Sequence, residues 1–336
     1  MADHPSGSEF DIISKYFRPL SEGSDEALGL TDDAALLSVP EGHQLVVTTD
    51  AIVAGVHFLE TLSPEDIAYK VVGVNLSDLA AMGARPHAVF LAAQFSPGVA
   101  EDWIASFAAG LKSALAPSGA KLLGGDTVST PGPMAFTITA LGFVRAGRAL
   151  TRAGAREGDL VLATGTIGDG ALGLAVLQGD FDGLDAAARD HLARRYARPE
   201  PRWEFAQELV KRGLAHAAVD VSDGLVADLG HICEASGVSA IIEAEQVQLS
   251  AAARAVLMQA PERLGDVLTG GDDYELVFTA AESALSELED LAATMSLPLS
   301  VIGRIEPMNP CNGPRVQVLD TNGLPMRLRA SGYRHL

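Results

Sequence analysis

Strand-like apolar runs that give way to an aspartate flanked by Gly, Ser or Thr recur along this chain, with helix-patterned stretches between them. "HQLVVTTD" ends in Thr48, Thr49 and Asp50, and "AKLLGGDT" carries Asp126. "AAVDVSDG" carries Asp220 and Asp223, and "GGDDYELVF" carries Asp272 and Asp273. Alternating strands and helices predict α/β or α+β layers rather than a helical bundle. In α/β sheets, ligand sites form at the carboxyl ends of strands. Tandem acids such as Asp32-Asp33 repel one another unless they are solvated or share a cation.

Local signals place these acids. "SPEDIAYKVVGVNLSDLAAMGARP" opens with Ser63 as N-cap and Pro64 at the first helical position, and Gly83 and Pro86 end it. Asn75 and Asp78, three apart, share one face of that helix. "HAVFLAAQF", "MAFTITALGFV", "LVLATG", "SAIIEAE", "YELVFTA", "SVIGRIE" and "RVQVLD" read as strands. "AKLLGGDTVS" reads as a short strand running into a glycine turn that presents Asp126. Helical patterns occupy "AEDWIASFAAGLKSALAPSG", "TIGDGALGLAVLQ" after its turn, 185–213 split by "ARPEPR", "LVADLGHICEASG", 249–260 and 281–295. Residues 9–18 set Phe10, Ile13 and Phe17 on one helical stripe. "VNLSDLAAMG" and "VDVSDGLVADLG" echo each other and put a Ser-Asp pair in each half. The polar, glycine-containing "RAGRALTRAGAREGD" is the candidate boundary, dividing the 336 residues into domains 1–148 and 149–336.

The formal net charge is −20, which argues against nucleic acid as a partner because phosphate backbones need a Lys/Arg surface. The same field repels any phosphate-bearing substrate unless a divalent metal reverses it locally; the plain alternative is that surplus acid keeps the protein soluble. Aromatics are only 5%, so aliphatic cores are expected. Cys233 and Cys311 are too few for a disulfide framework. "MADHPSGSEF" lacks a signal-peptide pattern, and apolar runs such as "AVFLAAQF" are too short to span a bilayer. The expectation is a soluble, cytoplasmic protein.

Any one of the Asp-bearing turns is explained by turn and cap preferences. As a set with Ser and Thr hydroxyls, they offer hard oxygen ligands suited to Mg²⁺, which fills its shell with water and substrate phosphates. The chain has no G-x-x-x-x-G-K-[ST], so it is not a P-loop enzyme. "GDGALG", 168–173, matches G-x-G-x-x-G and opens a reading as an NAD-dependent oxidoreductase. Asp169 opposes a pyrophosphate there, and a strand-turn-helix with close-packing glycines accounts for the same residues. Arg152, in "LTRAG", is either a phosphate clamp or an ion-pair residue. His57 is either a packing residue or a ligand contact. No Ser-His-Asp or Cys-His arrangement points to covalent catalysis, and no general base stands out.

Taken in order, "TDDAALL", "VTTDAIVAGVHF", "VNLSDLAAMGARP", "LLGGDT", "GRALTRAGA", "GTIGDGALGLAVLQ", "DVSDGLVADLGHI" and "LTGGDDYELVFT" resemble the thiamine-monophosphate kinase family from about Glu9 to Tyr333. Single motifs are shared with the wider superfamily of aminoimidazole ribonucleotide synthetase and selenophosphate synthetase, so another ATP-dependent enzyme of that superfamily is the alternative. No reactive Cys lies near the start, as selenophosphate synthetases resemble one another in having. The resemblance implies a two-domain aminoimidazole ribonucleotide synthetase-like fold: an N-terminal α/β domain that dimerises through its sheet to give a homodimer, and a C-terminal α/β domain. ATP and several Mg²⁺ ions would lie in the cleft between domains, and the γ-phosphoryl group would pass to thiamine monophosphate. By motif, Asp33, Thr48, Thr49, Asp50, Asp78, Asp126, Asp220 and Asp223 would hold magnesium. Gly125, Asp126, Arg152 and Ser222 would contact the nucleotide, and His57 and Asp272 the thiamine phosphate. Two departures stand out: Thr31 precedes Asp32-Asp33 where the family often has Gly, and Ala330 replaces an aromatic, with Tyr333 as the nearest substitute.

Overall fold

The computed structural model describes residues 9–308, 314–330 and 332–333, so Cys311 lies outside the described residues. The chain divides into two compact units, residues 1–79 with 84–147, and residues 80–83 with 148–336.

The first unit is built on β1 (His43–Val53), β2 (Arg85–Phe95), β3 (Lys121–Ser129) and β4 (Ala135–Arg145), in the order β1-β4-β2-β3. β4 runs antiparallel to β1 and β2, and β3 runs parallel to β2. The N-terminal stretch begins as α1 (Glu9–Ile12) and widens into a π-helix over Ile13–Phe17. Phe10, Ile13 and Phe17 keep the shared face their spacing predicts, since all three line one cavity, with Phe17 buried and Phe10 78% exposed at its mouth. Helix α2 (Pro64–Ala81) starts where its sequence says it should, with Ser63 Oγ accepting the Asp66 N–H at 3.1 Å and donating to the Asp66 carboxylate at 2.8 Å. Helix α3 (Glu101–Leu115) presses on α2 at Gly110, where a Cβ would come within 2.8 Å of Glu65 Cα.

The core of this unit is mostly aliphatic, as composition predicts, with Ile67, Val71, Leu79, Ile104 and Leu111 all buried. Its few aromatics are concentrated between α3 and the sheet, with Trp103 and Phe107 stacked on Phe136 and the Phe107 and Phe136 centroids 4.5 Å apart. On the opposite sheet face, Ala27, Leu30 and Leu37 pack on Leu123 and Leu141. One correction concerns Asp126. It lies within β3 and not in a turn after a short strand, because Gly124-Gly125 lets β3 continue close against β2. Gly125 has φ +153°, and a Cβ there would sit 1.9 Å from the Leu91 carbonyl oxygen.

The second unit carries β5 (Leu160–Thr164), β6 (Ala217–Asp220), β7 (Ser239–Glu243), β8 (Leu276–Ala280), β9 (Leu299–Glu306) and β10 (Val316–Leu319). Their order is β10-β7-β9-β5-β8-β6, antiparallel except for β10 with β7. Its helices are α4 (Asp169–Leu177), α5 (Ala186–Ala197), α6 (Trp203–Arg212), α7 (Leu225–Ser236), α8 (Ala251–Gln259), α9 (Leu264–Thr269) and α10 (Leu285–Thr294). The aliphatic core expected from composition is found here too: Leu229 and Ile232 of α7 bury against Val161, Val219 and Ile302. The short α9 has no counterpart in the sequence reading, since six residues carry too little periodicity to be seen. Among the described residues, no helix is long and apolar enough to cross a membrane.

Candidate active site

In the first unit, one face of α2 addresses the middle of β1. Asp78 accepts a hydrogen bond from the Thr48 hydroxyl, and Asn75 Oδ1 accepts the Asp50 backbone N–H at 3.0 Å. The three-residue spacing of Asn75 and Asp78 makes this double contact possible. Thr48 and Asp50, two apart on a strand, share the face turned to α2. Thr49 points the other way, with its hydroxyl 3.1 Å from that of its cross-strand partner Thr139 and 3.2 Å from Ile138 O. His57 lies in the turn that follows β1, and its Nδ1 accepts the Val53 N–H at 3.1 Å. In the neutral ring the proton is then on Nε2.

Asp33 and Asp126 meet elsewhere, on a cavity of about 590 Å³ also lined by Asp32, Gly125, Phe90 and Leu123. Three carboxylates line it and, among the described residues, no Lys or Arg does. Such a pocket suits a cation and opposes a bare phosphate. Across the sheet, the register runs Asp50, Ile138, Leu91, Gly125. Asp50 on β1 and Asp126 on β3 therefore occupy opposite edges, separated by three strand spacings or roughly 14 Å. Within one copy, a single ion with ligand distances of about 2–2.6 Å cannot bridge the two.

In the second unit, the "DVSDG" and "GGDDYEL" segments lie against each other. The Asp272 N–H donates to Ser222 O at 2.9 Å, the Tyr274 N–H to Val221 O at 2.8 Å, and the Val221 N–H to Glu275 O at 2.8 Å. Asp220 ends β6, and Ser222, Asp223 and Asp272 follow within these paired turns. Asp272 and Tyr274 both hold positive φ, +72° and +53°, and the Tyr274 hydroxyl donates to Asp272 Oδ1 at 3.2 Å. The tail joins them, with the Tyr333 N–H donating to Asp223 O at 2.9 Å. Arg152, from the same unit, is exposed on the segment that enters it.

Several organising residues were not singled out from sequence. Asp228 Oδ2 accepts the backbone N–H groups of Ser222, Asp223 and Gly224, each at 3.0 Å, and fixes the turn that opens α7. Burial pushes its carboxyl up to about 7, against the pull of those donors. Asp228 and His231 bring ligand atoms within 4.8 Å of one another and of Asp223. An acid in the first turn of a helix was the available signal. Glu275 is buried under Arg195 and Arg202, with Arg202 donating at 2.5 and 2.6 Å and Arg195 at 2.9 Å. Burial raises its carboxyl pKa, but the two guanidiniums win and hold it below the ordinary range.

The dinucleotide reading of "GDGALG" fails on this geometry. A pyrophosphate needs the N–H groups of such a turn, yet Gly168 and Gly170 donate theirs to the buried Asp273 carboxyl at 2.7 and 2.9 Å. Burial, opposed by these two donors, leaves the Asp273 pKa well above its usual value. Asp169 is fully buried, turned to Ser250, Thr166 and His191. A Cβ at Gly170 would come within 2.3 Å of Asp272 O, so these glycines serve close packing. The Ser-Asp echo also dissolves: Ser77-Asp78 lies inside α2, whereas Ser222-Asp223 precedes Gly224, whose φ of +124° breaks the chain into a turn.

Residues 31–144 match the family described as AIR synthase related protein, N-terminal domain, and residues 156–309 match its C-terminal domain. The thiamine-monophosphate kinase of Escherichia coli O157:H7 is 45% identical over 299 residues, covering 88% of this chain and 90% of its own. The crystal structure of thiamine-monophosphate kinase from Stenotrophomonas maltophilia K279a superposes with a TM-score of 0.81 at 43% identity, over 90% of this chain and 93% of that one. AaThiL complexed with AMPPCP and TMP gives a TM-score of 0.77 at 28% identity, over 91% of each chain.

Proposed function

The chain belongs to the thiamine-monophosphate kinase family, and we propose that it transfers the γ-phosphoryl group of ATP to thiamine monophosphate. A phosphate oxygen of the acceptor attacks Pγ, the bond from Pγ to the β–γ bridging oxygen breaks, and thiamine diphosphate and ADP leave. The observation that carries the reading is the pairing of family membership with a first unit whose acids stand on a cation-suited cavity and on the β1–α2 contact. Because the acceptor oxygen is already ionised near neutral pH, no strong base is required, which fits the lack of a general base among the assigned residues. What the protein must supply is position and neutralisation of charge.

Mg²⁺ is the ion the donor set fits, since carboxylate and hydroxyl oxygens are hard ligands. We assign Asp33, Thr48, Thr49, Asp50, Asp78, Asp126, Asp220 and Asp223 to hold several such ions between them, because no single one reaches both edges of the first unit's sheet. Bound there, magnesium neutralises phosphate charge that the net −20 of the chain repels. Gly125, Asp126, Arg152 and Ser222 contact the nucleotide, and His57 and Asp272 the thiamine phosphate. The cytosol, where ATP is abundant, suits the reaction.

A homodimer fits the sheet of the first unit. β1 and β3 are its edges, and Leu45, Val47 and Val128 on them are 38%, 56% and 45% exposed. A second copy that pairs these edges brings its own β3 acid towards Asp50, across the gap that one copy leaves open. Incubation with ATP, Mg²⁺ and thiamine monophosphate should yield thiamine diphosphate and ADP, and nothing when EDTA is present. Absence of thiamine diphosphate, with another phosphate or amidine substrate consumed instead, would overturn the assignment.

A further inference from the structure

Arg152 stands on an irregular segment, residues 151–155, with no helix or strand to stiffen it. One side chain at the far end of α7 holds that segment. The Ser236 hydroxyl accepts the N–H groups of Gly154 and Ala155 at 3.1 Å each, and donates to the Arg152 carbonyl at 3.1 Å. Its donor and acceptor capacities are thus spent on the three residues that follow and include Arg152. Two further ties complete the clamp. The Ala218 N–H donates to Thr151 O at 3.0 Å, and the Thr151 hydroxyl donates to Ala153 O at 2.7 Å. Gly154 runs at φ +132° so close to His216 O that a Cβ would lie 2.4 Å from it. The segment therefore has one backbone path, and Ser236 is the side chain that fixes the arginine's own peptide.

The other end of α7 is anchored at the "DVSDG" turn by Asp228. A helix of 12 residues spans about 18 Å. It acts as a strut that sets the distance between the Arg152 backbone and Ser222, the two nucleotide contacts assigned to this unit.

We propose that Ser236 is a positioning residue for ATP, acting through Arg152. The inference rests on the assignment of Arg152 to the nucleotide. Losing the hydroxyl frees the Arg152 peptide, and the guanidinium then has to be ordered at each binding event. Ser236→Ala should raise KM for ATP about fivefold, while kcat and KM for thiamine monophosphate stay unchanged. Ser236→Thr, which keeps the hydroxyl, should retain the parent KM.

A double-mutant cycle separates the alternatives. If Ser236 works through Arg152, Ser236→Ala adds nothing to KM for ATP in an Arg152→Ala background. Full additivity, or an unchanged KM in Ser236→Ala alone, overturns the positioning role. Should Arg152→Ala itself leave KM for ATP unmoved, the nucleotide assignment of Arg152 is wrong, and the proposal falls with it for that distinguishable reason. Arg152→Ala should melt with the parent, because its side chain is exposed, whereas Ser236→Ala leaves the N–H of the buried Ala155 without its acceptor and should melt somewhat lower while staying folded at the assay temperature.

Discussion

Asn75 Oδ1 accepts the Asp50 backbone N–H at 3.0 Å, while its own amide donates to Val71 O at 2.9 Å. The side chain is fully buried, so this is a peg between α2 and the strand that carries the proposed metal ligands. Asn75→Ala leaves an internal N–H without its acceptor and should cost about 1–3 kcal/mol of stability in urea unfolding. The same variant should need more Mg²⁺ for half-maximal rate. An unchanged requirement would separate the peg from the metal site.

Asp50 and Asp126 are both exposed, so neither supports the core. Asp50→Asn and Asp126→Asn should each keep the parent circular dichroism and lose about 100-fold or more in kcat/KM, since each deletes a ligand charge without opening a cavity. ADP release is the assay. Full activity in either variant removes that residue from the ligand set.

Asp228 predicts a pH dependence of stability. Its folded pKa is about 7, raised by burial, against about 4 when unfolded. Below pH 4 both states are protonated, and the stabilisation from burying the neutral carboxyl is fully present. As pH rises towards 7, the unfolded chain has already lost the proton that the folded one keeps. Stability falls across that window by up to about 4 kcal/mol and is then flat. Urea unfolding in EDTA from pH 4 to 8 measures it. Asp228→Asn should flatten the slope, and a slope shared by both proteins would assign the titration to another group.

Glu275 is buried between two guanidiniums, which places it in a different energetic class from the surface ion pairs Lys211–Glu208 and Arg212–Glu208. Glu275→Ala strands the buried Arg195 and the partly buried Arg202 and should destabilise by about 3–5 kcal/mol. Glu208→Ala should cost less than about 1 kcal/mol. Chemical denaturation of the two variants side by side tests the ranking.

What could be read from the sequence, and what could not, follows from the range of the interactions involved. The caps and breakers of α2 are local, so Ser63, Pro64 and Gly83 located the helix, and the spacing of Asn75 and Asp78 put them on one face. The continuation of β3 through Gly124, Gly125 and Asp126 depends on the approach of β2, which no window of neighbours contains. The role of Asp273 is invisible for the same reason: its partners Gly168 and Gly170 lie more than a hundred positions away. Ser236 looks like an ordinary helix residue because what it holds is backbone more than eighty positions away, and backbone has no letter in the sequence. The acids were conspicuous singly, but only the register of the sheet separates Asp50 from Asp126.

The Gly168–Gly170 turn comes with a resident acceptor in Asp273, so it has no appetite left for an anion from outside. Discrimination among phosphate esters in this half of the molecule must then be exercised by groups reaching in from other segments. Anyone redesigning the nucleotide preference should begin at the proposed contacts Arg152 and Ser222, and leave alone the glycine signature that first catches the eye.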